Sequence, residues 1–110
     1  MKKFFLIIAI VLLLSGCGNK NNQLDKILEE NNYVVMDVRT KEEYDEGHVI
    51  GALNISYDLI DDTLSLDKSK TILVYCKSGH RSKIAYDKLI SLGYTVYDMG
   101  AYNTISMPKE

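Results

Sequence analysis

Thr71-Ile72-Leu73-Val74-Tyr75 is an almost wholly apolar run that ends on Cys76 and gives way at once to Lys77-Ser78-Gly79-His80-Arg81-Ser82. A strand without a polar face is buried on both sides, the condition met by parallel sheets under helices. The run therefore predicts an α/β fold, a parallel-stranded central sheet with helices on both faces. In such sheets ligands bind beyond the carboxyl ends of the strands, and Cys76 stands at one of those ends.

The remaining segments fit that architecture. Leu24, Ile27 and Leu28 recur at helical spacing over Gln23 to Glu30. Tyr33 to Val38 reads as a buried strand. Thr40 and Glu43 stand at the spacing of a capping box, opening a short helix that Gly47 should stop. Ala52 to Ile55 reads as a second short strand, and Leu59 to Leu66 as one or two helical turns. A helix opening at Ser82 and Lys83 carries Ile84, Ala85, Leu89 and Leu92 on one face and ends at Gly93. Tyr94 to Tyr97 is the last expected strand.

A thiol attacks as its thiolate, a form stabilised by cations and by the free N–H groups of a helix N-terminus. Lys77 and Arg81 flank Cys76, Gly79 permits the left-handed backbone of a tight loop, and the helix begins at once. Lys77 to Ser82 therefore form the expected binding loop for a small anion, with Cys76 as nucleophile. An inert strand-end thiol would have no use for such neighbours. His80 lies in the loop, where side chains around a backbone cradle point outward.

The N-terminus belongs to a different argument. Lys2 and Lys3 precede an unbroken apolar stretch, Phe4 to Leu14, shorter than the ~18 residues read as a membrane span. Leu14-Ser15-Gly16-Cys17 resembles the lipobox of bacterial lipoproteins. That resemblance implies a signal peptide over 1–16, cleavage before Cys17, lipidation of its thiol and an extracytoplasmic, membrane-anchored protein. Residues 17–22 then form a polar tether and 23–110 a single domain. The chain has two cysteines, so Cys76 is left as a lone thiol, unable to form an internal disulfide. A net charge of −2, more negative once Lys2 and Lys3 are removed, argues against nucleic acid as a partner. One free thiol and two scattered histidines match no metal-ligand spacing, and no cofactor is expected.

Cys76 to Ser82 resembles the active-site loop of rhodanese-family sulfurtransferases. Asp37-Val38-Arg39, Glu43-Tyr44 and Gly47-His48-Val49-Ile50-Gly51-Ala52-Leu53-Asn54-Ile55 resemble the family's N-terminal signature, and the likeness spans about Leu24 to the C-terminus. It implies a carrier of sulfane sulfur in which Cys76 becomes a persulfide. The donor would be a small thiosulfate-like anion, and the acceptor a thiol, including a protein thiol, or cyanide. The same likeness makes Asp37 and Arg39 a supporting charge pair and His48 a structural residue. Three positions depart from the family pattern: Ile50 replaces a proline, Gly100-Ala101 replaces paired glycines, and Ile105 stands where tryptophan is usual.

Two other functions compete. Related phosphatases and arsenate reductases use a similar loop, but Cys76 and Arg81 enclose four residues, one fewer than in those enzymes. A membrane-tethered, non-catalytic binding module is the second, although such modules typically lose the cysteine.

Overall fold

The computed structural model describes residues 20–110 of the 110-residue chain. The signal peptide expected over residues 1–16, the lipidation expected at Cys17 and the start of the expected tether lie outside the described residues. The described residues fall into two units, one ending at Asn31 and the other spanning Asn32–Glu110. In the first, helix α1 (Lys20–Glu30) starts ahead of Gln23, so Lys20-Asn21-Asn22 are helical where tether was expected. None of the three is a helix breaker, and backbone bonding extends a helix without apolar side chains. Asn31 ends it in the left-handed conformation, at φ 54°.

The second unit is a four-stranded parallel sheet. Its strands are β1 (Tyr33–Asp37), β2 (Leu53–Asn54), β3 (Thr71–Cys76) and β4 (Thr95–Ala101), in the order β2-β1-β3-β4. Helix α2 (Lys41–Glu46) follows β1 and helix α3 (His80–Ser91) follows β3. Single 3₁₀ turns cover Tyr57–Leu59 and Tyr102–Thr104. The β1–β3 register sets Met36 against Val74 and Asp37 against Tyr75.

Strand alternation divides the chemistry between two faces. Met36, Ile72, Val74 and Cys76 point to one side and pack with Ala85 and Leu89 of α3, Ile60 and Tyr94. Val35, Asp37, Leu73 and Tyr75 point to the other and are also buried. Burial on both faces explains the unbroken apolar run of β3. Helix α3 ends where the sequence placed its stop. Gly93, at φ 94°, donates its N–H to Ile90 and the next residue, Tyr94, donates to Leu89, the paired bonds of a Schellman motif.

Two further expectations differ from the fold. Leu59 to Leu66 is not helical beyond the 3₁₀ turn, because the local polar side chains offer the backbone other partners. Asp61 accepts from Thr63 N–H at 2.9 Å, and Asp67 from Ser69 N–H at 2.9 Å. Leu64 and Leu66 still reach the core cluster, and Tyr94 Oη holds this segment through the Leu64 carbonyl and the Leu66 N–H. Strand β4 also runs past Tyr97 to Ala101. A register shift opposite Val74 and Tyr75 absorbs the irregularity, and the Asp98 carboxylate accepts the Gly100 N–H at 2.9 Å.

The C-terminal segment pairs antiparallel with the loop after α2. His48 and Glu110 exchange N–H···O bonds of 2.9 and 2.8 Å, and Ile50 donates its N–H to the Pro108 carbonyl at 3.0 Å. A proline at position 50 would have no such N–H, which gives the Ile50 departure a structural use.

Leu89 is wholly buried against the strand that carries Cys76. Leu89→Ala is expected to destabilise the protein by about 2–5 kcal/mol through lost burial and a residual cavity. Urea titration should show a lower midpoint with an unchanged slope; an unmoved midpoint would mean that α3 does not anchor the sheet.

Candidate active site

Cys76 is the last residue of β3, and its side chain has no exposed surface. Its Sγ accepts two backbone hydrogen bonds, from Gly79 N–H at 3.0 Å and Ser82 N–H at 3.2 Å. The geometry follows from how α3 begins. Gly79 is the N-cap at φ 101°, a conformation that costs an L-residue roughly 1–2 kcal/mol. An N-cap side chain ordinarily accepts the N–H of the third helical residue, here Ser82. Glycine has none, and the sulfur of Cys76 takes that place. A negatively charged sulfur is thus held by donors that the helix leaves free and by the positive end of the helix dipole. Ser82 Oγ donates to the Gly79 carbonyl at 3.1 Å, closing the loop on itself.

The other loop residues separate into two groups. Lys77, Ser78 and His80 are exposed. Arg81 makes a bidentate pair with Glu43, at 2.8 Å from Nη1 to Oε1 and 3.1 Å from Nη2 to Oε2. Glu43 is also the third residue of α2, and the capping box with Thr40 forms in full. Glu43 N–H donates to Thr40 Oγ1, and Glu43 Oε1 accepts from the Thr40 backbone. One carboxylate therefore caps α2 and grips the first turn of α3.

Asp37 and Arg39 form a buried pair, 2.6 Å from Nη2 to Oδ2. The Asp37 carboxylate also receives the Arg39 backbone N–H at 2.9 Å, Arg39 Nε, and the hydroxyl of Tyr75 at 2.7 Å. Tyr75 Oη in turn accepts the Val49 N–H at 3.0 Å. Arg39 reaches on to the Gly47 carbonyl at 2.6 Å and lies 4.4 Å from the ring centre of Tyr102. Asn54 Nδ2 ties the backbone carbonyls of Asp37 and Arg39. Burial pulls the Arg39 guanidinium downward, but its bonds to Asp37 leave it above the ordinary arginine value. Burial, with the Asp37 carboxylate beside it, pushes the Tyr75 phenol well above the ordinary tyrosine range, so it stays protonated and donates. The network ends at Tyr75, the residue before the nucleophile, and does not include Cys76. His48 lies apart from the loop. It donates Nδ1–H to the Tyr44 carbonyl at 2.8 Å and stacks on the Tyr44 ring at 3.7 Å.

Sequence reasoning did not assign Glu43 to Arg81, nor Tyr75, Gly47 and Tyr102 to Arg39. The capping-box spacing marked Glu43 as a helix cap and Glu43-Tyr44 belonged to the family signature, but its distant partner leaves no local pattern. A cleft of about 260 Å³ opens beside the loop, with Glu43, Glu46, Arg39, Lys77, Tyr102 and Asn103 in its wall. Among the described residues no cluster of metal-ligating side chains occurs.

The parallel sheet, the strand-end cysteine and the N–H cradle define an α/β protein with a thiol nucleophile at a helix N-terminus. Residues 20–104 match the rhodanese-like domain, and the chain belongs to that family. It is 38% identical over 78 residues to the thiosulfate sulfurtransferase PspE of Escherichia coli K12, covering 67% of this chain and 75% of that protein. It is 30% identical over 82 residues to the thiosulfate sulfurtransferase GlpE of Coxiella burnetii, covering 72% and 77%. Among solved structures it resembles a rhodanese with anions from E. coli, with a TM-score of 0.66 and 36% identity over 71% of this chain and 96% of the other.

Glu43 carries a stability prediction. Hydrogen bonds from Arg81, aided by Thr40 and opposed by partial burial, lower its carboxyl from the ordinary 4.5 to about 2. A carboxyl lowered on folding stabilises the native state above its unfolded pKa and loses that contribution as pH falls through the folded value. Stability should therefore decline as pH falls from about 4.5 towards 2, and Glu43→Gln should flatten that part of the profile. Parallel denaturation curves for the two proteins across this range would show instead that the Glu43–Arg81 pair does not form in solution.

Proposed function

We propose that this protein is a thiosulfate-type sulfurtransferase, and the observation that carries the reading is the Cys76 sulfur held by the N–H groups of Gly79 and Ser82. The Cys76 thiolate attacks the outer sulfur of thiosulfate. The S–S bond of the donor breaks and its electron pair leaves with sulfite. Cys76 becomes a persulfide whose terminal sulfur carries the negative charge. An acceptor thiolate, or cyanide in an assay, then attacks that terminal sulfur, and the Cys76 thiolate is regenerated. The two half-reactions form a ping-pong cycle.

The geometry suits a single sulfur atom. The cradle supplies two backbone donors in a short loop, placed to hold a sulfur anion without help from a side chain. Lys77, Ser78 and His80 are the exposed residues of the loop, open to an incoming anionic donor. Asp37 and Arg39 act as support, holding the backbone around Tyr75 and Gly47. Two relatives are named for thiosulfate sulfurtransfer, which favours the enzyme over a non-catalytic module.

The protein's place in the cell is read from residues 1–17 alone. Lys2, Lys3, the apolar stretch and Leu14-Ser15-Gly16-Cys17 support a precursor cut before Cys17, with the mature protein held on the outer side of a membrane by lipid. Two or three acyl chains make a stable anchor, at roughly 0.8 kcal/mol per buried CH₂. Labelled fatty acid should be incorporated in cells expressing the natural chain and lost in Cys17→Ser, whose precursor should stay uncleaved. Incorporation that persists in the variant would remove the anchor from Cys17.

Mass spectrometry tests the chemistry. Thiosulfate should add the mass of one sulfur, about 32 Da, to the domain, and cyanide should remove it as thiocyanate. Cys76→Ser should abolish both steps, because a neutral hydroxyl has neither the charge nor the polarisability to attack sulfane sulfur. Thiocyanate formation undiminished in that variant would mean another nucleophile. Rapid hydrolysis of an aryl phosphate by the natural protein would point to phosphatase chemistry.

A further inference from the structure

The cations near the sulfur are not equivalent. Arg39 is buried against Asp37, and Arg81 is held at both nitrogens by Glu43. Lys77 follows Cys76 directly, is exposed, and has no ion-pair partner among the described residues. The cleft beside the loop has Lys77 in one wall with Glu43 and Glu46. An anionic donor in that cleft meets the unpaired ammonium of Lys77, two carboxylates and the guanidinium of Arg39, already paired with Asp37, while the charge of Arg81 is largely spent on Glu43.

We propose that Glu43 is a positioning residue for sulfur transfer, holding Arg81 and with it the first turn of α3, and that Lys77 is the cation that selects the anionic donor. The proposal rests on the sulfurtransferase reading. Arg81 stands next to Ser82, whose N–H reaches Cys76 Sγ, so the anchor of the one fixes the donor of the other. Glu43 is fixed in turn by the capping box, which ties the start of α2 to the start of α3 through one side chain. A carboxylate facing the donor is a cost in affinity that the anchoring of the loop offsets in rate.

The test is steady-state kinetics on Glu43→Gln, Arg81→Gln, the double variant, Lys77→Gln and Glu46→Gln, with thiosulfate and with an uncharged organic trisulfide. Glutamine suits the third position of a capping box, so the α2 cap survives in Glu43→Gln. For that variant kcat should fall roughly tenfold, because the charge-assisted bidentate anchor of the loop is gone. Its KM for thiosulfate should fall roughly two- to fivefold, since a repelling carboxylate is removed and Arg81 is released. A merely structural role would not lower KM. Glu46→Gln should lower KM without the loss in kcat. The double variant should match Arg81→Gln within about a factor of two, because residues acting through each other are not additive. Lys77→Gln should raise KM for thiosulfate roughly fivefold, flatten its dependence on salt and change KM for the trisulfide little.

Independent, multiplying losses in the double variant would overturn the positioning role, as would an unchanged kcat in Glu43→Gln. An unchanged KM for thiosulfate in Lys77→Gln, with a raised one in Arg81→Gln, would move donor selection to Arg81. If Glu43→Gln fails to fold, the comparison of Lys77→Gln with Arg81→Gln still decides the division of roles. Failure of the natural protein to take up sulfur would sink the function itself, an outcome separate from any of these patterns.

Discussion

A buried carboxylate organises the functional end of this molecule. Asp37 has no exposed surface, and a charge in that position is tolerable only when every lone pair is met. Arg39 and Tyr75 meet them, and each then reaches outward, to the Gly47 carbonyl and to the Val49 N–H. The need to satisfy one anion thus fixes β1, β3 and the loop after α2 against one another. Removing a single partner would leave the rest of the network charged, buried and short of hydrogen bonds, which is why the arrangement behaves as a unit.

A second, less buried pair does for the helices what the first does for the strands. Glu43 and Arg81 are part exposed, and their bidentate geometry joins the start of α2 to the start of α3. Glu43 raises the Arg81 guanidinium further above the ordinary arginine value, so this cation stays charged across any working pH. Cys76, by contrast, takes both of its hydrogen bonds from the backbone. Backbone donors keep their direction whatever the side chains around them do, an advantage in a site that must accept a new charged atom in each cycle.

The sequence made the local features plain and concealed the distant ones. The capping box at Thr40 and Glu43, the unbroken strand at Thr71 and the stop at Gly93 are written within a few residues each, and all occur as read. The Cys76 loop was legible because glycine and cations in that order have few other uses. Leu59 to Leu66 misled because its leucines suggest a helix while Asp61 and Asp67 close local turns instead. The extension of β4 to Ala101 was hidden by Asp98 and Gly100, which look like strand breakers until the shifted register accommodates them. The partner of Arg81 could not be inferred, because nothing within one helix announces a carboxylate 38 residues away.

The alternation along β3 has a consequence for how the protein matures. Cys76 faces the apolar cluster under α3, while its neighbour Tyr75 faces the Asp37 network on the opposite side of the sheet. A slip of one residue in the pairing of β3 would exchange the two, sending a phenol into the apolar layer and a thiol into the ionic one. Misregistered forms are therefore inactive as well as unstable, and no partly paired sheet can present the sulfur to its two amides. Catalytic competence is for this chain a faithful gauge of strand alignment, so recovery of turnover on refolding should track the final locking of the sheet rather than the earlier appearance of helix.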